Sequence, residues 1–95
     1  MKGYVVCVYK NINSYEKLKE YAVKARVAVE KFEGKFLIRG GKATSIEGEK
    51  SPRTVVIEFP SYEKANAFYR SKEYQEAHSI LDGHVERQFQ TVEGY

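Results

Sequence analysis

The run Tyr4-Val5-Val6-Cys7-Val8-Tyr9 constrains this chain most, because it is apolar in both registers. An unbroken β-branched and aromatic run of this kind reads as a strand. Tyr4, Val6 and Val8 then point one way, and Val5, Cys7 and Tyr9 the other. A strand that is apolar on both faces is covered on both faces. Residues 53–59 repeat the pattern more weakly, with Val55, Ile57 and Phe59 on one side and Thr54, Val56 and Glu58 on the other. A chain of 95 residues makes a single domain, residues 1–95, and cannot supply two covers for one sheet. The expectation is a homodimer that stacks sheet on sheet.

The order of elements says what the first cover is. After the strand at 4–9, Asn13 or Ser14 can cap a helix that runs to about Phe32, with Glu16 placed for a capping box on Asn13. Tyr15, Leu18, Ala22, Ala25, Val29 and Phe32 recur at intervals of three and four, and so share one helix face. Gly34 suits the left-handed residue that ends such a helix. A second strand spans 35–39 and is expected to resume over 42–47, beyond Gly40-Gly41. "GEKSP" (48–52) is the clearest loop, and a third strand spans 53–59 up to Pro60. Ser61 caps a helix to about Arg70, Ser71 caps another to Leu81, and a last strand covers 85–92. Strand, helix, strand, strand, helix, strand is the α+β ferredoxin-like arrangement, an antiparallel sheet with its helices on one face. The homodimer contact therefore falls on the helix-free sheet face.

Several stretches together resemble a known family. They are "KEYAVKA" (19–25), "EGKFLIRGG" (33–41), "VVIEFPSYEKANAFYRSKEYQEA" (55–77) and the terminal "VEGY". The chain resembles the DUF1330 family, small bacterial and archaeal proteins of unknown function in the dimeric α+β barrel superfamily. The resemblance spans nearly the whole chain and implies a homodimer whose two sheets close into a barrel. It implies no activity. The wider superfamily includes cofactor-free monooxygenases, haem-degrading proteins and muconolactone-type isomerases, and a shared fold does not carry their chemistry across.

Arg39-Gly40-Gly41 invites two readings. A phosphate cradle needs its glycines to lead into a helix N-terminus, and here they lie between β-like segments, some way before the next helix. Gly40 and Gly41 read instead as a structural bend, where a long strand kinks over a barrel rim. Alternation puts Arg39 on the face of Leu37, opposite Val56 and diagonal to Glu58 if the hairpin turns near 47–48. Such a partly buried pair can orient the dimer, as part of a structural or interaction dimer without activity. Alternatively it lines a small-molecule cleft on the helix-free face. Arg39 would then hold a carboxylate or aromatic acid, with Glu58 as candidate catalytic base. Tyr74 is a further candidate ligand-binding residue at the cleft edge, with core packing as its other reading.

Other functions find little support. Cys7 is the only cysteine, which removes intramolecular disulfides and thiol-rich metal sites, and its apolar setting suits a small buried hydrophobe. His78 and His84 do not have the spacing of a helical metal pair, so no metal site is assigned. No haem, flavin or other cofactor is required, and Trp is absent. The RNA-recognition fold has the same element order, but alignment on Phe59 puts Thr54 and Val56 where bases would stack. The net charge of +3 is spread along the chain, so no nucleic acid is expected as a partner. No apolar run is long enough for a membrane span or signal peptide, which points to a cytoplasmic protein.

Overall fold

The computed structural model describes residues 1–95. Its elements are β1 (Gly3–Ile12), α1 (Tyr15–Lys31), β2 (Lys35–Arg39), β3 (Arg53–Phe59), α2 (Tyr62–Arg70), α3 (Lys72–Leu81) and β4 (Val85–Glu93). The four strands form one antiparallel sheet in the order β2-β3-β1-β4. The doubly apolar β1 takes a central place, between β3 and β4. The fold is α+β and ferredoxin-like.

Each helix starts where a serine offers its hydroxyl to an orphan amide. Ser14 Oγ accepts from Lys17 N at 3.1 Å, Ser61 Oγ from Lys64 N at 3.0 Å, and Ser71 Oγ from Tyr74 N at 3.1 Å. Ser14 rather than Asn13 is thus the α1 cap. The left-handed residue after α1 is Glu33, at φ 63, and not Gly34. Gly34 is needed for close packing instead: a Cβ there would lie 2.7 Å from both Phe59 Cε1 and Val29 Cγ1.

The helices cover one sheet face, where Val5, Cys7, Tyr9, Val55, Ile57 and Phe59 meet Leu18, Ala25, Val29, Phe68, Tyr74 and Leu81 in a single core. The other face carries Tyr4, Val6, Val8, Thr54, Val56 and Glu58, all half-buried within one chain. Ile38 and Val92 lie beside them, 47% and 41% exposed. No helix is long and apolar enough to cross a membrane.

Two expectations about strand two are corrected. It does not resume over 42–47: residues 40–52 form no strand, and Gly40, at φ 70, turns the chain out of the sheet. The kink lies earlier. Phe36 pairs with Ile57 and Ile38 with Val56, so the register slips by one residue across Leu37. One extra residue in a strand flips everything beyond it to the opposite face. Arg39 therefore pairs with Val55, not Val56, and faces the helices.

Candidate functional site

Tyr9 lies at the centre of the site because of its place in the sheet. It pairs with Arg53 on β3 and with Arg87 on β4, so Arg53, Tyr9 and Arg87 form one row across three adjacent strands. All three face the helices, where the next row is Val55, Cys7 and Phe89. Ser51 fixes one end of the row, its hydroxyl donating to the Tyr9 carbonyl at 2.6 Å. From above, α1 lowers Tyr21 and α3 lowers Tyr74, whose rings meet edge to face at 6.1 Å.

These side chains surround the Arg87 guanidinium. Arg87 Nη2 donates to Tyr74 Oη at 2.8 Å, and Nη1 donates to Tyr9 Oη at 3.1 Å and Tyr21 Oη at 3.3 Å. Cys7 Sγ lies 3.5 Å from Nη1. The Tyr21 and Tyr74 hydroxyls are 2.8 Å apart, and one donates to the other. The Tyr9, Tyr21 and Phe89 rings lie 5.4, 5.3 and 4.9 Å from the guanidinium carbon, close enough for cation–π attraction.

Arg53 sits beside this group with less company. Its guanidinium carbon lies 5.9 Å from the Tyr9 ring centre, its Nε is buried without a hydrogen-bond partner, and it joins no ion pair. Arg39 closes the outer end. It stacks 4.3 Å above Phe36 and donates to the Ala22 carbonyl on α1 at 3.4 Å, while remaining exposed. Between the arginines is a cavity of about 30 Å³, lined mostly by apolar side chains and by no aspartate, glutamate or histidine. That is room for about two waters, or for the head group of a small acid.

Burial sets the protonation of the cavity wall. It pushes the Tyr9 phenol up to about 12, against the pull of the Arg87 charge. Burial also raises Tyr74 and the Cys7 thiol, so the phenol and the thiol stay neutral at working pH. For Arg87, burial opposes the charge, but a guanidinium keeps its proton throughout the working pH range, and its N–H groups donate to three phenol oxygens. The wall is thus neutral donors around fixed cations.

The candidates from the sequence are separated by the sheet. Arg39 and Tyr74 are on the helix side. Glu58 is on the helix-free side, where Tyr4 donates to its Oε2 at 3.3 Å and Lys2 Nζ lies 4.0 Å from Oε1. Arg39 and Glu58 therefore form no common cleft, and the cavity is not on the helix-free face. Tyr74 is fully buried within the network rather than at a cleft edge. Gly41 faces open space, while Gly40 packs against Arg53.

Arg53 and Arg87 were not singled out from the sequence. A signal for Arg87 was available: in Val85, Arg87, Phe89 and Thr91, it alternates onto the apolar face of the last strand. The same signal held for Arg53, which alternates with Val55, Ile57 and Phe59 at the start of the third strand, but its neighbours depend on sheet register.

Known structures share the fold at low identity. A protein of unknown function from Rhodopseudomonas palustris superposes with a TM-score of 0.78 at 16% identity, covering 99% of this chain and 82% of its own. A dimeric ferredoxin-like protein of unknown function from Jannaschia sp. gives 0.70 at 11% identity, covering 99% and 100%. A putative antibiotic biosynthesis monooxygenase from Caulobacter crescentus gives 0.61 at 13% identity, covering 99% and 90%. At such identities the likeness establishes the fold alone. No curated protein matches the chain. The family model described as "Domain of unknown function (DUF1330)" matches residues 2–95.

Proposed function

The chain belongs to the DUF1330 family, and from that premise we propose that it is a homodimer that binds a small organic acid in the cavity around Arg87. One observation carries the reading: buried donors converge there without acceptors. Of the Tyr21 and Tyr74 protons, one is used between the two hydroxyls and the other has no acceptor. Arg53 Nε is likewise unmet, and no carboxylate lines the cavity to balance Arg87. Buried donors without acceptors are costly, and a bound carboxylate satisfies donors and charge together.

Binding has better support than catalysis. The wall has no carboxylate or imidazole to act as base, and its Cys7 thiol and Tyr9 phenol are held neutral. The homodimer reading rests on the half-buried apolar residues of the helix-free face, and on relatives of this fold described as dimeric.

A competing structural role draws on the same network, since Arg87 already meets three phenol oxygens. A thermal-shift screen of small aliphatic and aromatic acids separates the two, using wild type, Arg87→Gln, Arg39→Ala and Glu58→Gln. Saturation at a hundred times the dissociation constant adds about 2.7 kcal/mol. The binding reading expects an acid that stabilises wild type and Glu58→Gln, loses its effect on Arg87→Gln and weakens on Arg39→Ala. If no acid stabilises wild type, and Arg87→Gln merely melts earlier, the network is structural.

A further inference from the structure

Building on that cavity, we infer that its ligand is a compact dianion bridging Arg87 and Arg53, a short dicarboxylate or a phosphate. Three independent observations meet here. First, the row Arg53–Tyr9–Arg87 places two guanidinium groups against one ring, at 5.9 and 5.4 Å from its centre. Both arginines also line the one cavity, so a ligand held there lies within reach of each. Second, neither arginine has a carboxylate partner, and no acidic residue lines the cavity, so two like charges share its wall uncompensated. Third, Arg53 has a seat of its own. A Cβ on Gly40 would lie 2.1 Å from Arg53 Nη1 and 2.8 Å from its guanidinium carbon, so only bare backbone lets the group lie there.

The roles then divide. Arg87, held from several sides by phenols, is the fixed anchor for one anionic end. Arg53, with a buried and unmet Nε, takes the second. Arg39, exposed over Phe36, stands at the entrance and draws anions inward. The cavity of about 30 Å³ favours the smallest members of the class. Bidentate geometry explains why arginine, rather than lysine, occupies the row.

The test is calorimetric titration at fixed ionic strength with propionate, malonate, succinate and inorganic phosphate. Wild type, Arg53→Gln and Arg53→Lys are compared, each first shown folded by circular dichroism. A dicarboxylate should bind wild type about tenfold or more tighter than propionate, which is 1.4 kcal/mol or more. Arg53→Gln should remove that preference, so that the diacids bind no more tightly than propionate does. Arg53→Lys should keep part of it. Phosphate binding that is lost in Arg53→Gln, with dicarboxylates indifferent, supports the dianion and assigns it to phosphate. Equal affinities for propionate and the diacids, with no phosphate binding, overturn the dianion and leave a monocarboxylate site standing. A preference that survives Arg53→Gln also overturns it. No binding by any anion removes the site itself.

Discussion

Arg53 packs against the bare backbone of Gly40, where a Cβ would come within 2.1 Å of its Nη1. Gly40 is also left-handed, at φ 70, whereas the next residue, Gly41, has nothing within 4 Å of an added Cβ. The paired glycines are therefore unequal. Gly40→Ala should cost about 1–2 kcal/mol from backbone conformation alone, and more if Arg53 is slow to yield. Gly41→Ala should stay within about 0.5 kcal/mol of wild type. Urea midpoints at constant m-value decide this. Equal effects at both positions would mean that neither the left-handed backbone of Gly40 nor the Arg53 contact has energetic weight.

Tyr74 is fully buried and its hydroxyl meets both Tyr21 and Arg87 at 2.8 Å. Removing that oxygen leaves a charged donor unmet in the core. Tyr74→Phe should therefore lower stability by about 1–3 kcal/mol. Tyr69 is the control, since its ring stacks on Tyr74 at 5.3 Å while its hydroxyl makes no hydrogen bond. Tyr69→Phe should be close to neutral in the same denaturation series. A Tyr74→Phe protein as stable as Tyr69→Phe would show that water replaces the lost contact.

How far the sequence speaks for this molecule depends on the range of each signal. Serine caps, the helix stripe and the doubly apolar β1 are local, and they led directly to the elements and their order. The bulge at Leu37 is not local. Strict alternation put Arg39 with Glu58 on the helix-free face, and one extra residue moved it to the other. The row Arg53–Tyr9–Arg87 is further out of reach, since its members come from three strands far apart in the chain. It exists only once the register is set. Gly40 shows the same limit: the need for glycine was readable, but its reason lies in a side chain thirteen residues on.

The buried phenols make stability sensitive to alkali. Tyr9 rises from an ordinary 10.0 to about 12 in the folded state, chiefly through burial, and Tyr74 shifts the same way. A raised acid binds its proton more tightly when folded, so the unfolded chain ionises first and stability falls as pH rises. The contribution is whole below pH 10 and is lost through about 12. For Tyr9 alone the loss is about 3 kcal/mol, from about 1.4 kcal/mol per unit. Melting temperatures should be flat approaching pH 10 and drop steeply above it, with a shallower drop in Tyr9→Phe. Ultraviolet titration should show these phenols ionising only as the fold opens. Early, reversible ionisation of every tyrosine would mean the network is open to water.

The helix-free face can be tested apart from the cavity. Val56 pairs with Val6 on one side and Ile38 on the other, at the middle of the apolar patch. If a second copy covers this face, Val56→Lys buries an unpaired charge in the interface, at a cost of about 3 kcal/mol or more. Dimer affinity should then fall by about a hundredfold or more. Val23 on α1 is the matched control, 66% exposed on the side away from the sheet. Val23→Lys should leave assembly unchanged. Light scattering behind size exclusion should give wild type and Val23→Lys the mass of two 11.0 kDa chains, and Val56→Lys that of one at low concentration. A monomeric wild type would leave Tyr4, Val6, Val8 and Ile38 uncovered. A dimer broken by Val23→Lys instead would move the interface to α1. Either result would separate this chain's assembly from the apolar pattern of β1.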